Sequence, residues 1–191
     1  MTHSQALSAI GYPWGVLGLI WLVGLAFTKR TVRRQPTGPR LFHLVLASAG
    51  FCLLGSNWFA GGWLATRFLP TSSELELAGL AVTIGGCAFA IWARLTLGRN
   101  WSSEATVKAG HELVTTGPYA FARHPIYTGL VAAAVGTAIA IGEVRSILGL
   151  VLIVLAFMVK MSQEENLMMQ TFPEAYPLYR QRVKALIPGL L

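Results

Sequence analysis

Five stretches of this chain hold no Lys, Arg, Asp or Glu: 1–28, 41–66, 77–93, 124–142 and 146–159. A helix crossing the bilayer core needs about 20 apolar residues at a rise of about 1.5 Å each. Four of the stretches approach or exceed that length. The fifth, SILGLVLIVLAFMV, reaches it by extending as a helix at both ends. No water-soluble arrangement hides five such runs in 191 residues, of which only 12% are charged, against about 25% in soluble domains. The expected fold is therefore an all-α integral membrane protein with about five transmembrane helices, at roughly 8–28, 41–67, 75–95, 125–142 and 145–169. It is expected to form a single membrane domain over 1–191. Three helices fill 1–93, and a polar loop, a helical hairpin and a C-terminal segment fill 94–191.

The loops orient the bundle. KRTVRRQPTGPR (29–40) carries five of the fifteen basic residues and no acid, so the positive-inside rule places it in the cytoplasm. The N-terminus and LPTSSELE (69–76) then lie outside. The long polar segment 94–123 and the C-terminus lie inside, and IGEVRS (141–146) is a tight outer turn. Met1–Thr28 has no basic n-region and no cleavage site, so it is expected to remain as a membrane helix rather than be removed as a signal peptide. The economy of the loops suggests a prokaryotic inner membrane. The net charge of +7 reads as topology and attraction to anionic lipids. Nucleic acid is excluded as a partner, because the basic residues are dispersed without stacking aromatics.

Other chemistries are excluded by what is missing. Asp does not occur, and there is no CxxC, HxxxH, GxGxxG, GxxxxGK[ST] or GxSxG, so metal, Rossmann, P-loop and serine-hydrolase sites are not expected. Cys52 and Cys87 sit inside apolar runs and are expected to be small buried hydrophobes. The Gly-rich GSNWFAGGW (55–63) is expected to kink or closely pack the second helix.

Two polar clusters remain, both on the inner face. AGHELVTTGPYAFARHPIYTG (109–129) sets Arg123 and His124 just before a helix headed by Pro125, where free backbone N–H groups favour an anion. KMSQEENLMMQTFPEAYPLYRQRVKALIPGL (160–190) follows the fifth helix. Its adjacent Glu164 and Glu165 point about 100° apart on a helix, so that one pairs with Lys160 a turn back while the other faces inward. The hairpin of helices four and five brings both clusters to the same side, in a pocket formed by the 94–124 loop and the C-terminal helix. Taken singly, each of these residues has a plain alternative, as a membrane anchor, an interfacial histidine, a solvated helix face or an aromatic belt.

HELVTTGPYAFARHPIYTG (111–129), EENLM (164–168) and FPEAYPLYRQRVKALIPG (172–189) together resemble the isoprenylcysteine carboxyl methyltransferase family, also grouped with phospholipid methyltransferases. The likeness covers about residues 94–191. It implies an S-adenosyl-L-methionine-dependent methyltransferase embedded in the membrane. It further implies a cofactor site lined by His111, Leu113, Gly117, Pro118, Tyr119, Arg123, His124, Pro125, Tyr127, Glu164 and Glu165, with Glu165 and Arg182 as the catalytic face toward the substrate. Where members from eukaryotes often carry Arg before the double Glu, this chain has Lys160, and it lacks their longer substrate-binding insertions. The implied partners are a lipophilic small-molecule or lipid substrate and the membrane lipids. The acceptor expected first is a prenylcysteine-like carboxylate, with a phospholipid amine or a small thiol as alternatives. An NADPH-dependent sterol-type reductase and a non-enzymatic membrane subunit are the readings outside the methyltransferases.

Overall fold

The computed structural model describes residues 3–26, 31–34, 37–98, 101, 106–108 and 112–186. Six helices dominate: α1 (His3–Leu25), α2 (Thr37–Gly55), α3 (Ser73–Leu97), α4 (Pro125–Ile141), α5 (Val144–Thr171) and α6 (Ala175–Arg182). A short antiparallel ribbon of β1 (Thr31–Arg34) and β2 (Thr106–Lys108) joins two polar loops, which the all-α expectation did not contain. Among the described residues three helices are long and apolar enough to cross a membrane, within α1, α3 and α5. The apolar parts of α2 (Arg40–Gly55) and α4 (Pro125–Ile141) are shorter. At about 1.5 Å per residue, α4 reaches about 26 Å, a little under a hydrocarbon core of about 30 Å. The protein is an integral membrane protein whose lipid-exposed helices carry bare Leu, Val, Ile and Phe side chains, such as Leu22, Val45 and Ile84.

α4 can be short because it is central. Its composition is small rather than greasy, and it packs most extensively along α3. A Cβ added at Gly129 would lie 2.6 Å from the Gly86 carbonyl oxygen, and one at Gly79 would lie 2.5 Å from that of Gly136. Only glycine permits helix axes this close. Thr83 sits in the seam, fully buried, and its Oγ1 donates to the Gly79 carbonyl at 2.8 Å and meets Thr137 Oγ1 at 3.3 Å. α2 packs on α5 by the same device, with Gly50 against Gly149.

α2 ends at Gly55, well before the expected residue 67. Ser56 accepts from Trp58 N and starts a separate short turn, and Gly62 takes a left-handed φ of 58°. The Gly-rich stretch therefore leaves the helix rather than kinking it. The outgoing chain is pinned to the α4–α5 turn, where Val144 N donates to Thr66 O and Phe68 N to Gly142 O. Arg145, buried at the head of α5, donates to Glu143 and to the carbonyls of Leu53 and Ser56, closing the end of α2. Arg94 does likewise for α1, donating to Gly24 O at 3.1 Å while its guanidinium lies over the Trp101 ring. Cys87 is buried as expected; Cys52 is exposed, because its position on α2 faces away from α5 toward the lipid side.

Candidate active site

The α4–α5 turn is tight, with Gly142 in the left-handed conformation as the helix stop. The opposite end of the hairpin therefore brings the head of α4 beside the last turns of α5. Pro125 occupies the first turn of α4, a position where its missing N–H costs nothing. Gly117 supplies a φ of 59° for the turn before it. The short 3-10 turn Gly117–Ala120 then delivers Tyr119, and the chain turns into Arg123 and His124.

The polar residues close on one another. Arg123 donates through Nη2 and Nε to Glu165 Oε1, at 2.6 and 2.9 Å. Its remaining terminal nitrogen goes to the carbonyls of Arg180 and Val183. His124 bridges the two glutamates, with Nε2 3.4 Å from Glu165 Oε1 and Nδ1 3.5 Å from Glu164 Oε2. Tyr127 donates its hydroxyl to Glu164 Oε1 at 2.7 Å. Lys160 stands 4.0 Å from the same carboxylate, and Arg180 stands 3.5 Å from Glu165. Both glutamates thus face the cluster, because α5 and α6 flank the head of α4 from two sides.

The tail after α6 locks this arrangement. Arg123 N and His124 N donate to Lys184 O and Ala185 O at 2.8 and 2.9 Å, and Thr128 Oγ1 donates to Leu186 O. Tyr179 of α6 reaches across to the Tyr119 carbonyl at 2.6 Å.

Burial acts first on the titratable groups here. It disfavours a charged imidazole at His124, but the hydrogen bonds and fields of Glu164 and Glu165 outweigh it and raise the pKa above its ordinary value. Burial pushes the Tyr179 hydroxyl up to about 12 and raises Tyr119 and Tyr176 as well, so all three stay protonated donors at neutral pH.

A cavity of about 230 Å³ opens on this cluster. Its polar wall is made by Glu112, Arg123, His124, Tyr127, Lys160 and Glu164. Its other walls are apolar or aromatic, with Leu113, Val114, Tyr119, Leu130, Phe157 and Met168 among them. Of the residues implied by the sequence resemblance, Leu113, Tyr119, Arg123, His124, Tyr127 and Glu164 line this cavity. Gly117, Pro118 and Pro125 shape the backbone beside it. Glu165 is spent on Arg123, His124 and Arg180 and is not among the lining residues. Arg182 is exposed on the last turn of α6 and is not among them either. His111 lies outside the described residues. Trp21, Trp101, Phe157 and Lys160 line the cavity without having been singled out as site residues. The two tryptophans pack edge to face, Trp21 from α1 and Trp101 from the segment after α3, so no local pattern marks them. Among the described residues no group of His, Cys or Glu is placed to hold a metal ion.

Fold and site together define a helical integral membrane protein with a buried ionic cluster at one end of its central hairpin. Residues 79–170, a little under half of the chain, match the isoprenylcysteine carboxyl methyltransferase (ICMT) family. It is 34% identical over 109 residues to the protein-S-isoprenylcysteine O-methyltransferase of Schizosaccharomyces pombe, covering 49% of this chain and 46% of that one. It is 31% identical over 113 residues to protein-S-isoprenylcysteine O-methyltransferase B of Arabidopsis thaliana, covering 58% and 57%. The chain thus spans about half the length of the curated relatives it matches. The solved structure of the eukaryotic intramembrane Ras methyltransferase ICMT superposes with a TM-score of 0.50, over 80% of this chain and 52% of that one. Its sequence identity is 24%, so that likeness is one of fold.

Proposed function

We propose that this protein is an S-adenosyl-L-methionine-dependent methyltransferase that O-methylates the carboxylate of a lipophilic, isoprenylcysteine-like acceptor at the membrane interface. The observation that carries the reading is the charge balance of the cluster. Three fixed cations, Arg123, Lys160 and Arg180, surround two carboxylates, and the environment of His124 favours its protonated form. Glu112 also lines the cavity and offsets the third fixed cation, so the surplus that favours an added anion over an added amine is the protonated His124.

The lining residues fit the cofactor. Leu113, Val114 and Tyr119 offer an apolar and aromatic wall for a purine, while Glu164 offers a carboxylate for the ammonium group of the cofactor's amino-acid end. When bound, the cofactor supplies a methyl group on a sulfonium, already activated for displacement. The chain's own task is positioning and field. An acceptor carboxylate is nucleophilic as it stands and needs no general base. Lys160, over the Tyr127 ring and bordering the cavity, is the cation placed to orient it. Glu165 fixes Arg123 and His124 in place, and Arg182 has no part at the reacting centre. Phe157 and Leu130 keep the far wall dry and lipophilic. The orientation proposed from the basic loop 29–40 puts the cluster on the cytoplasmic side of a prokaryotic inner membrane.

The test is incubation of the purified full chain with methyl-labelled S-adenosyl-L-methionine and a farnesylated N-acetylcysteine. A base-labile methyl ester is the expected product. Label on an amine or thiol acceptor but never on the carboxylate would overturn the O-methylation reading. Binding of NADPH in place of S-adenosylhomocysteine would overturn the methyltransferase reading itself.

A further inference from the structure

A second cavity, of about 630 Å³, lies at the end of the bundle away from the ionic cluster. Its volume falls in the range of ligand sites, about 300–1,000 Å³. It exists because α1 packs on α3 and α2 packs on α5, leaving a wedge between α1 and α2. At its floor Trp14 meets Phe51 edge to face at 5.5 Å, and the Trp14 indole donates to Thr137 Oγ1 at 3.0 Å.

The lining is graded. Toward the floor it is apolar, with Trp14, Phe51 and Leu54. Toward the outer end of the helices it carries Ser8, Asn57 and Arg145. Arg145 is only 4% exposed, and its Nε and Nη1 are committed to Glu143 and to the carbonyls of Leu53 and Ser56. Among the described residues no hydrogen bond takes up the remaining nitrogen, Nη2, and Arg145 lines the cavity. Immediately beside this polar end, Trp58 is 92% and Trp63 66% exposed, on turns held by the bonds to Thr66 and Gly142. Exposed tryptophans at the end of apolar helices mark headgroup depth. The donors of the cavity therefore sit at headgroup level and its apolar floor sits deeper, matching the polarity of a lipid standing in that leaflet.

We infer that this wedge is a binding site for one glycerophospholipid of the leaflet opposite the ionic cluster. An acyl chain would lie along Phe51, Leu54 and Trp14, and the ester and phosphate oxygens would accept from Arg145 Nη2. Glu143 already balances the Arg145 charge, so oxygen acceptors on the headgroup are recognised more than net charge.

Gly11 lines the wedge, and a Cβ built there meets nothing within 4 Å, so a side chain added at this position starts in open space. Gly15 is equally open but is not among the lining residues, which makes it the control. The full chain would be titrated with dioleoylphosphatidylglycerol, and separately with oleate, and followed by native mass spectrometry. The expected result is a one-to-one phospholipid adduct that Gly11→Leu weakens and Gly11→Phe weakens at least tenfold, while Gly15→Leu leaves it unchanged. Equal retention by the wild type and both Gly11 variants, or no adduct in the wild type, would overturn the site. Saturable oleate binding that excludes the phospholipid would overturn the choice of lipid.

Discussion

Glu164 and Glu165 are neighbours in sequence with the same chemistry, yet their surroundings assign them different work. Glu165 is the hub of an ion network, paired to Arg123 with side-chain exposures of 8% and 14%. Glu164 takes the Tyr127 hydroxyl and borders the cavity. Removing one partner of a buried pair costs about 3–5 kcal/mol, because the other charge is left unmatched. Glu165→Gln is therefore expected to lower the thermal unfolding midpoint strongly, together with activity. Glu164→Gln is expected to keep the fold and weaken S-adenosylhomocysteine binding by about 1–3 kcal/mol, the usual cost of a lost charged hydrogen bond. Thermal scans beside a calorimetric titration separate the two variants. Equal thermal losses would show that the assignment is wrong.

His124 adds a pH dependence whose sign follows from its raised pKa. In an unfolded chain it titrates near 6.5. The folded value is higher, because Glu164 and Glu165 outweigh burial. Its stabilising contribution is thus fully present below the unfolded value and is lost as pH rises through the folded one. The gap in thermal midpoint between wild type and His124→Asn should be widest below the unfolded value and narrow as pH rises through the higher folded one. A gap that grew with pH would contradict the charged imidazole. Arg123 and His124 were legible as candidates because they stand together with Tyr119 and Tyr127 in one motif at the head of an apolar run. Arg182 was named with them, but it lies exposed on α6 while Arg180, two residues before it, reaches Glu165, because the phase of α6 decides which of the two faces inward.

Among the elements, the seam between α3 and α4 depends on residues that carry no side chain. Gly79→Leu would drive carbon into the Gly136 backbone and is expected to cost more than the about 1–3 kcal/mol of ordinary overpacking. Gly85 is on the exposed face of the same helix with nothing within 4 Å of a Cβ. Gly85→Ala should therefore be neutral or stabilising by up to about 0.5–1 kcal/mol. Thermal unfolding of both variants in one detergent checks the pair, and a loss at Gly85 matching that at Gly79 would deny the seam its role. Periodicity and charge gaps located all the long helices, but they extended α2 through 67. Hydropathy does not register that Ser56 caps a new turn or that Gly62 reverses the chain, since both residues are compatible with an apolar run.

At the scale of the whole molecule, the bundle is sided. The ionic cluster and the ribbon of β1 and β2 share one end, while Trp58, Trp63 and the second cavity share the other. A fluorescent-protein fusion at the C-terminus is expected to mature in the cytoplasm, and a periplasmic phosphatase fusion at the same point is expected to stay inactive. The reverse pattern would move the catalytic face to the other side of the membrane.

What the chain's order of residues determined by itself was membrane residence, the approximate places of its helices, and the motif heading α4. Each of these follows from local transfer energies and turn chemistry. What only the tertiary structure decided was which glutamate faces the cavity, which arginine joins the cluster, and how the tail at 184–186 locks the head of α4. It also decided that two tryptophans far apart in sequence, Trp21 and Trp101, share a wall. Those outcomes depend on helix rotation and on the close approach of glycine seams. Contacts between residues far apart in sequence set both, and no single stretch of the chain encodes them.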